Sequence, residues 1–157
     1  YSTLLQQSLF KLKYGKRQEY GLFYGELAAV YAEEYIRRWK IDCIVSIPLH
    51  RKRLEKRGYN QAELIAEALG EKVNIPVKKK ILKRKINTEP QKDLNPEERR
   101  KNIRGAFTAG EGIRGEKVLL IDDIYTTGTT IDEAARALKK AGAEKVYFLV
   151  IAIGSEP

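Results

Sequence analysis

The chain has 157 residues, 43% hydrophobic and 32% charged, a length and balance that suit one globular domain with its own core. No apolar run approaches the roughly 20 residues of a membrane helix, the first residues lack the basic flank and apolar block of a signal peptide, and the one cysteine, Cys43, excludes an internal disulfide, so a reducing cytoplasm is the expected setting. The net charge of +9 is concentrated, with a net +4 in residues 50–57 and +7 in residues 78–104; this points to phosphorylated small molecules or nucleic acid as partners, unless these are solvated lysines of a heat-adapted protein.

In chain order, residues 20–39 read as a helix whose Phe23, Leu27, Val30, Tyr31 and Tyr35 recur at helical steps in one apolar stripe. Residues 41–47 form a short strand that Pro48 ends. Gln61 to Leu69 form an alanine-rich helix stopped by Gly70. Residues 73–83 hold one strand, or two broken at Pro76. Residues 84–104 are polar and irregular, apart from a short helix announced by Asn95, Pro96 and Glu98: a cap, a first-turn proline and a glutamate in the capping-box position. Residues 117–121 are the central strand, Thr129 to Ala141 a helix ending at Gly142, and residues 145–153 an unbroken apolar strand, hence one buried on both faces. Strands alternating with helices predict an α/β fold with a mostly parallel sheet flanked by helices. No repeat or linker divides residues 1–157, so a single domain is expected.

The chemistry concentrates in residues 118–130. Four branched apolar residues run into Asp122 and Asp123, a loop of hydroxyls follows, and a helix begins. Ligands of α/β sheets bind at this end of a strand. Paired carboxylates accept hydrogen bonds from a vicinal diol. Neighbours on a strand point to opposite faces, so the two acids converge only if the strand ends at them, as Ile-Tyr-Thr-Thr-Gly predicts. Thr126, Thr127, Gly128, Thr129 and Thr130 supply backbone N–H groups and hydroxyls at a helix N-terminus, a nest for phosphate, and Gly128 permits the tight turn. Diol and phosphate together read as ribose 5′-phosphate. The plainer alternative is a buried strand, two solvated acids and a threonine cap.

Other signals are weaker. There is no Gly-x-x-x-x-Gly-Lys-Ser/Thr loop, and the Gly-x-Gly-x-x-Gly at Gly110, Gly112 and Gly115 precedes a strand, so it reads as a turn. No His and Cys cluster has metal-ligand spacing. The strand ending at Ser46-Ile47-Pro48 enters a basic loop that offers positive charge to a second anion; His50, the lone histidine, is equally readable there as a residue with no role. Arg57-Gly58-Tyr59-Asn60-Gln61 suits a turn and helix cap. A loop as long as 84–104 is more often a lid than filler, with a charged solvated loop as the alternative.

Residues 118–130 closely resemble the phosphoribosyl pyrophosphate (PRPP) signature of type I phosphoribosyltransferases: four apolar residues, two acids, two spacers, then Thr-Thr-Gly-Thr-Thr. Pro48-Leu49-His50-x-x-Arg53, then Arg57-Gly58-Tyr59-Asn60-Gln61, then the series Arg84, Gln91, Arg99, Asn102 and Arg104 ending in Gly105-Ala106-Phe107 resemble the ComF family of competence-associated proteins. Leu9 to Gly15 also looks like that family's start, and the resemblance runs from about Leu4 to Ile153. Family members usually carry a four-cysteine zinc element before this point, and this chain has no zinc-binding cysteines.

The resemblance implies the type I phosphoribosyltransferase fold, a sheet of about five strands with a small hood. It assigns Asp122 and Asp123 to the ribose hydroxyls and Thr126, Thr127, Gly128, Thr129 and Thr130 to the 5′-phosphate. Leu49, His50 and Arg51 would form a pyrophosphate loop, often of unusual peptide geometry, with Arg57, Gly58, Asn60 and Gln61 as a family motif beyond it. Arg84, Gln91, Arg99 and Asn102 would belong to a lid that excludes water. Mg²⁺ would accompany PRPP near Asp122 and Asp123, with no direct protein ligand assigned. The implied activity is glycosyltransferase chemistry of nucleotide metabolism, moving phosphoribosyl to or from a nitrogen base, with a link to DNA uptake. The alternative is a non-catalytic module that senses PRPP or a nucleotide 5′-monophosphate, or binds single-stranded DNA through Tyr59 and the basic run 78–85, alongside other competence proteins. No membrane insertion is expected.

Overall fold

Apolar strands and helices alternate in the computed structural model, which describes residues 3–85 and 103–154. The elements are α1 (Thr3–Tyr14), α2 (Glu19–Trp39), β1 (Cys43–Ser46), α3 (Arg51–Arg57), α4 (Gln61–Val73), β2 (Leu82–Arg84), β3 (Phe107–Ala109), β4 (Lys117–Tyr125), α5 (Thr129–Lys140) and β5 (Lys145–Ile153). The main sheet has the order β1-β4-β5 and is parallel throughout. Val77 extends it by one parallel bridge to Ile44. β2 and β3 form a separate antiparallel ribbon. The α/β fold expected from the alternation is therefore present, its strands divided between a parallel sheet and a small ribbon.

Side chains alternate along β4 and build two cores. Leu119 and Ile121 pack with Leu9, Leu12, Tyr24 and Ile65 from α1, α2 and α4. Val118 and Leu120 pack on the other face with Ile131, Ala134 and Leu138 of α5 and with Leu82 and Phe107 of the ribbon. Fully burying one such leucine contributes about 1.5–3 kcal/mol. Among the described residues β4 is the central strand of the main sheet, with strands on both sides, which explains why its apolar run is continuous.

Five elements differ from the sequence reading. α1 and α3 were not expected as helices. α4 runs through Gly70 and stops at Asn74, which adopts the left-handed cap conformation. A Cβ at Gly70 would lie 2.7 Å from Val77 Cγ2, so this glycine admits a close neighbour and does not end the helix. The apolar stripe of α2 faces outward, with Val30 76% and Tyr31 74% exposed. The buried face is Gly21, Tyr24, Gly25, Ala28, Ala29 and Ile36, because α4 approaches so closely that a Cβ at Gly25 would lie 2.4 Å from Ala68 Cβ. Finally, β5 is not buried on both faces. It is an edge strand, and Phe148 is 49% exposed.

Candidate functional site

β4 does not stop at the two acids. Its pairing with β5 continues through Asp122↔Val150, Ile124↔Ala152 and Tyr125↔Ile153. The backbone period of two therefore continues past the acids, although the two carboxyl groups remain in side-chain contact. Asp122 lines a small cavity with Thr126, Thr127, Gly128 and Thr130. Asp123 is 4% exposed and its Oδ2 pairs with Lys13 Nζ of α1 at 2.7 Å. The expectation of a strand ending at residue 121 is corrected on this point. The Asp123 N–H donates to Asp122 Oδ1 at 2.9 Å, and the two side chains interact as well. Burial, with the Asp123 charge next in weight, pushes the Asp122 carboxyl up to about 8.

The loop after the strand has the geometry of a helix entrance. Gly128 is the N-cap of α5 at φ 77°, ψ −10°, and its carbonyl accepts from the Asp132 N–H at 2.9 Å. Two constraints select glycine. The left-handed φ disfavours any side chain, and a Cβ would sit 2.5 Å from the Tyr125 hydroxyl oxygen. Thr127 and Thr129 share a hydroxyl–hydroxyl hydrogen bond of 2.9 Å, which fixes the turn. The first N–H groups of α5 have no helical partner and face the same end of the sheet as Asp122.

The second basic segment folds differently from a loop. His50 is the N-cap of α3, its Nδ1 accepting from the Lys52 N–H at 3.3 Å. Every peptide among the described residues is trans. Leu49 and Arg51 line a cavity of about 460 Å³ together with Ser46, Pro48, Lys83 and Arg84; His50 does not line it. Arg51 Nε also pairs with Glu55 at 2.7 Å on the surface. Arg84, the first residue of the segment read as a lid, lines this cavity. Its guanidinium lies 5.4 Å from the Phe107 ring centre, and burial, together with nearby Arg53, lowers it to about 10 against the opposing pull of Asp122. Gln91, Arg99 and Asn102 lie outside the described residues.

The Arg57–Gln61 motif is structural. Gly58 caps α3 in the left-handed conformation. Asn60 caps α4, accepting from Ala62 N at 3.1 Å and donating to the Ile47 carbonyl at 2.9 Å. It thereby locks the end of β1 to the start of α4. Arg57 donates to the buried Gln61 and lies 5.4 Å from the Tyr14 ring centre. Tyr59 is buried and donates its hydroxyl proton to the Leu12 carbonyl, so it is not the stacking surface expected for single-stranded DNA. The basic run is partly neutralised as well: Lys78 pairs with Glu116 at 2.6 Å, and Lys79 with Glu63 and Glu67.

Lys13, paired with Asp123, is a candidate site residue to which sequence reasoning gave no role. It stands in the Leu9–Gly15 segment, yet its tie to Asp123 spans more than a hundred residues and has no local signature.

Residues 25–156 match the phosphoribosyl transferase domain family. Competence protein F of Haemophilus influenzae is 35% identical over 108 residues, covering 67% of this chain and 47% of that protein. Competence protein ComFC of Bacillus subtilis is 30% identical over 143 residues, covering 90% and 56%. DNA utilization protein YhgH of Escherichia coli K12 is 28% identical over 149 residues, covering 93% and 66%. The chain thus spans about half to two thirds of the length of these relatives. A purine phosphoribosyltransferase from Pyrococcus horikoshii shares the fold, with a TM-score of 0.53 at 17% identity over 83% of this chain and 74% of that one. The acid pair on the central strand, the threonine–glycine helix entrance and these matches agree: the chain belongs to the phosphoribosyl transferase domain family, as a member of the ComF-type competence proteins.

Proposed function

We propose that this protein binds PRPP at the end of β4 and transfers its phosphoribosyl group to or from a nitrogen compound. The observation that carries the reading is the Asp122–Thr130 segment: a carboxylate facing a glycine-capped helix entrance in one small cavity. The 5′-phosphate falls to the N–H groups and hydroxyls of Thr126 to Thr130, and the ribose diol to Asp122. Asp123, across the strand, sets Lys13. The pyrophosphate falls to the cavity of Leu49, Arg51 and Arg84.

In the transfer, the C1–oxygen bond breaks, its electron pair leaving with pyrophosphate. The acceptor nitrogen forms the new bond to C1 and gives up its proton. The protein contributes orientation and positive charge at the leaving group. Asp122 would stand beside magnesium brought in with PRPP, and the ion would supply neutralisation of leaving-group charge there. The names of the relatives support placing this chemistry in the handling of incoming DNA. Calorimetric titration with Mg·PRPP tests the reading: we expect binding that Asp122→Asn weakens at least tenfold. Absence of binding to the wild-type chain overturns it.

A further inference from the structure

A strongly positive cavity lies between the end of α1 and α3, tied to β4 by the Lys13–Asp123 pair. Its volume is about 350 Å³, and Lys13, Tyr14, Lys16, Arg53, Lys56, Arg57 and Tyr59 line it. None of its lining residues is acidic. A volume of this order suits a small molecule, not a polymer groove.

Several of these groups are held in place. Lys13 is fixed by Asp123. Arg57 is held by Gln61 and the Tyr14 ring. Tyr59 anchors the floor through the Leu12 carbonyl. Lys16 sits at φ 55°, a conformation side chains rarely adopt, and this turn aims it into the cavity. Lys16 and Lys56 have no ion pair among the described residues. Solvated lysines spread apart to relieve repulsion; here the backbone and the neighbouring rings gather them around one volume. Tyr14, Lys16 and Lys56 are exposed, and the charge gathered around this volume attracts an anion from solvent.

We propose that this cavity holds an oxyanion of the acceptor, so that the acceptor is a phosphate- or carboxylate-bearing nitrogen compound and not a neutral base. The proposal rests on the phosphoribosyl reading above. The Lys13–Asp123 pair connects the cavity to the strand end, because Asp123 adjoins Asp122. As the acceptor nitrogen bonds to C1, pyrophosphate leaves with the bonding electrons and the acceptor's proton passes to solvent. The oxyanion itself stays in the cavity unchanged.

The test is calorimetric titration of the full chain, with and without Mg·PRPP, against two pairs of probes. Pyrimidine-4-carboxylate is compared with pyrimidine-4-carboxamide, and phenyl phosphate with phenol. We expect at least one anion to bind tenfold or more tightly than its neutral partner, which also tells carboxylate from phosphate. Lys16→Glu/Lys56→Glu should abolish that preference, and Lys16→Gln/Lys56→Gln should reduce it by an intermediate factor, with far-UV circular dichroism unchanged for both. Equal binding of anion and neutral partner, no binding by any probe, or a preference that survives charge reversal overturns the proposal. Binding of a twelve-nucleotide thymidine strand, with neither small anion bound, also overturns it. Failure of the phosphoribosyl reading is separately visible as no binding of Mg·PRPP, and the titrations without PRPP remain readable in that case.

Discussion

At the residue scale, Asp122 couples stability to ligand binding. Its carboxyl is raised from an ordinary 3.8 to about 8, so the folded chain favours the neutral form. The stability this gives is complete below about pH 4 and is lost as pH rises towards 8. A diol and a cation prefer the ionised carboxylate, so Mg·PRPP affinity should rise with pH through the neutral range and level off above 8. Asp122→Asn should flatten both profiles, as thermal melts and titrations at stepped pH will report. Gly128 offers a second measurement. Gly128→Ala adds backbone strain of about 1–2 kcal/mol and pushes against Tyr125. We expect a lower melting temperature and at least a tenfold loss of Mg·PRPP affinity; unchanged affinity would mean that the turn does not shape the site.

At the element scale, the segment Arg57–Gln61 shows how a motif is read correctly in type while its contacts stay hidden. Asn60 was legible as a helix cap from residue type alone. Its second bond, to the Ile47 carbonyl, depends on β1 and α4 meeting in space, which local sequence does not encode. Losing both contacts in Asn60→Ala should cost about 2–3 kcal/mol in urea unfolding. α2 shows the opposite error. Its periodicity is genuine, but periodicity marks an apolar stripe without saying which face is covered, and two glycines and two alanines won the core because they allow α4 to approach closely. Val30→Ser should therefore change stability by less than about 0.5 kcal/mol, while Leu119→Ala, in the core between β4 and α4, should cost about 2–5 kcal/mol.

At the scale of the whole molecule, the parallel sheet and the loop at its carboxyl edge were legible because alternating elements and a thirteen-residue signature are local patterns. The run of β4 past the acids, the Lys13 tie and the positive cavity were not, because each depends on residues brought together from distant parts of the chain. The outward face of α2 and the edge strand β5 border a groove of about 310 Å³ lined by Tyr31, Tyr35, Trp39 and Phe148. Phe148 of this groove stacks on Tyr125, 5.8 Å between ring centres, and Tyr125 in turn packs on Gly128. The most direct check of the central claim is a crystal structure with ribose 5-phosphate bound. The account predicts the phosphate on the N–H groups of Thr126 to Thr130 and the ribose diol at Asp122. Phosphate bound elsewhere, with that loop empty, would contradict it.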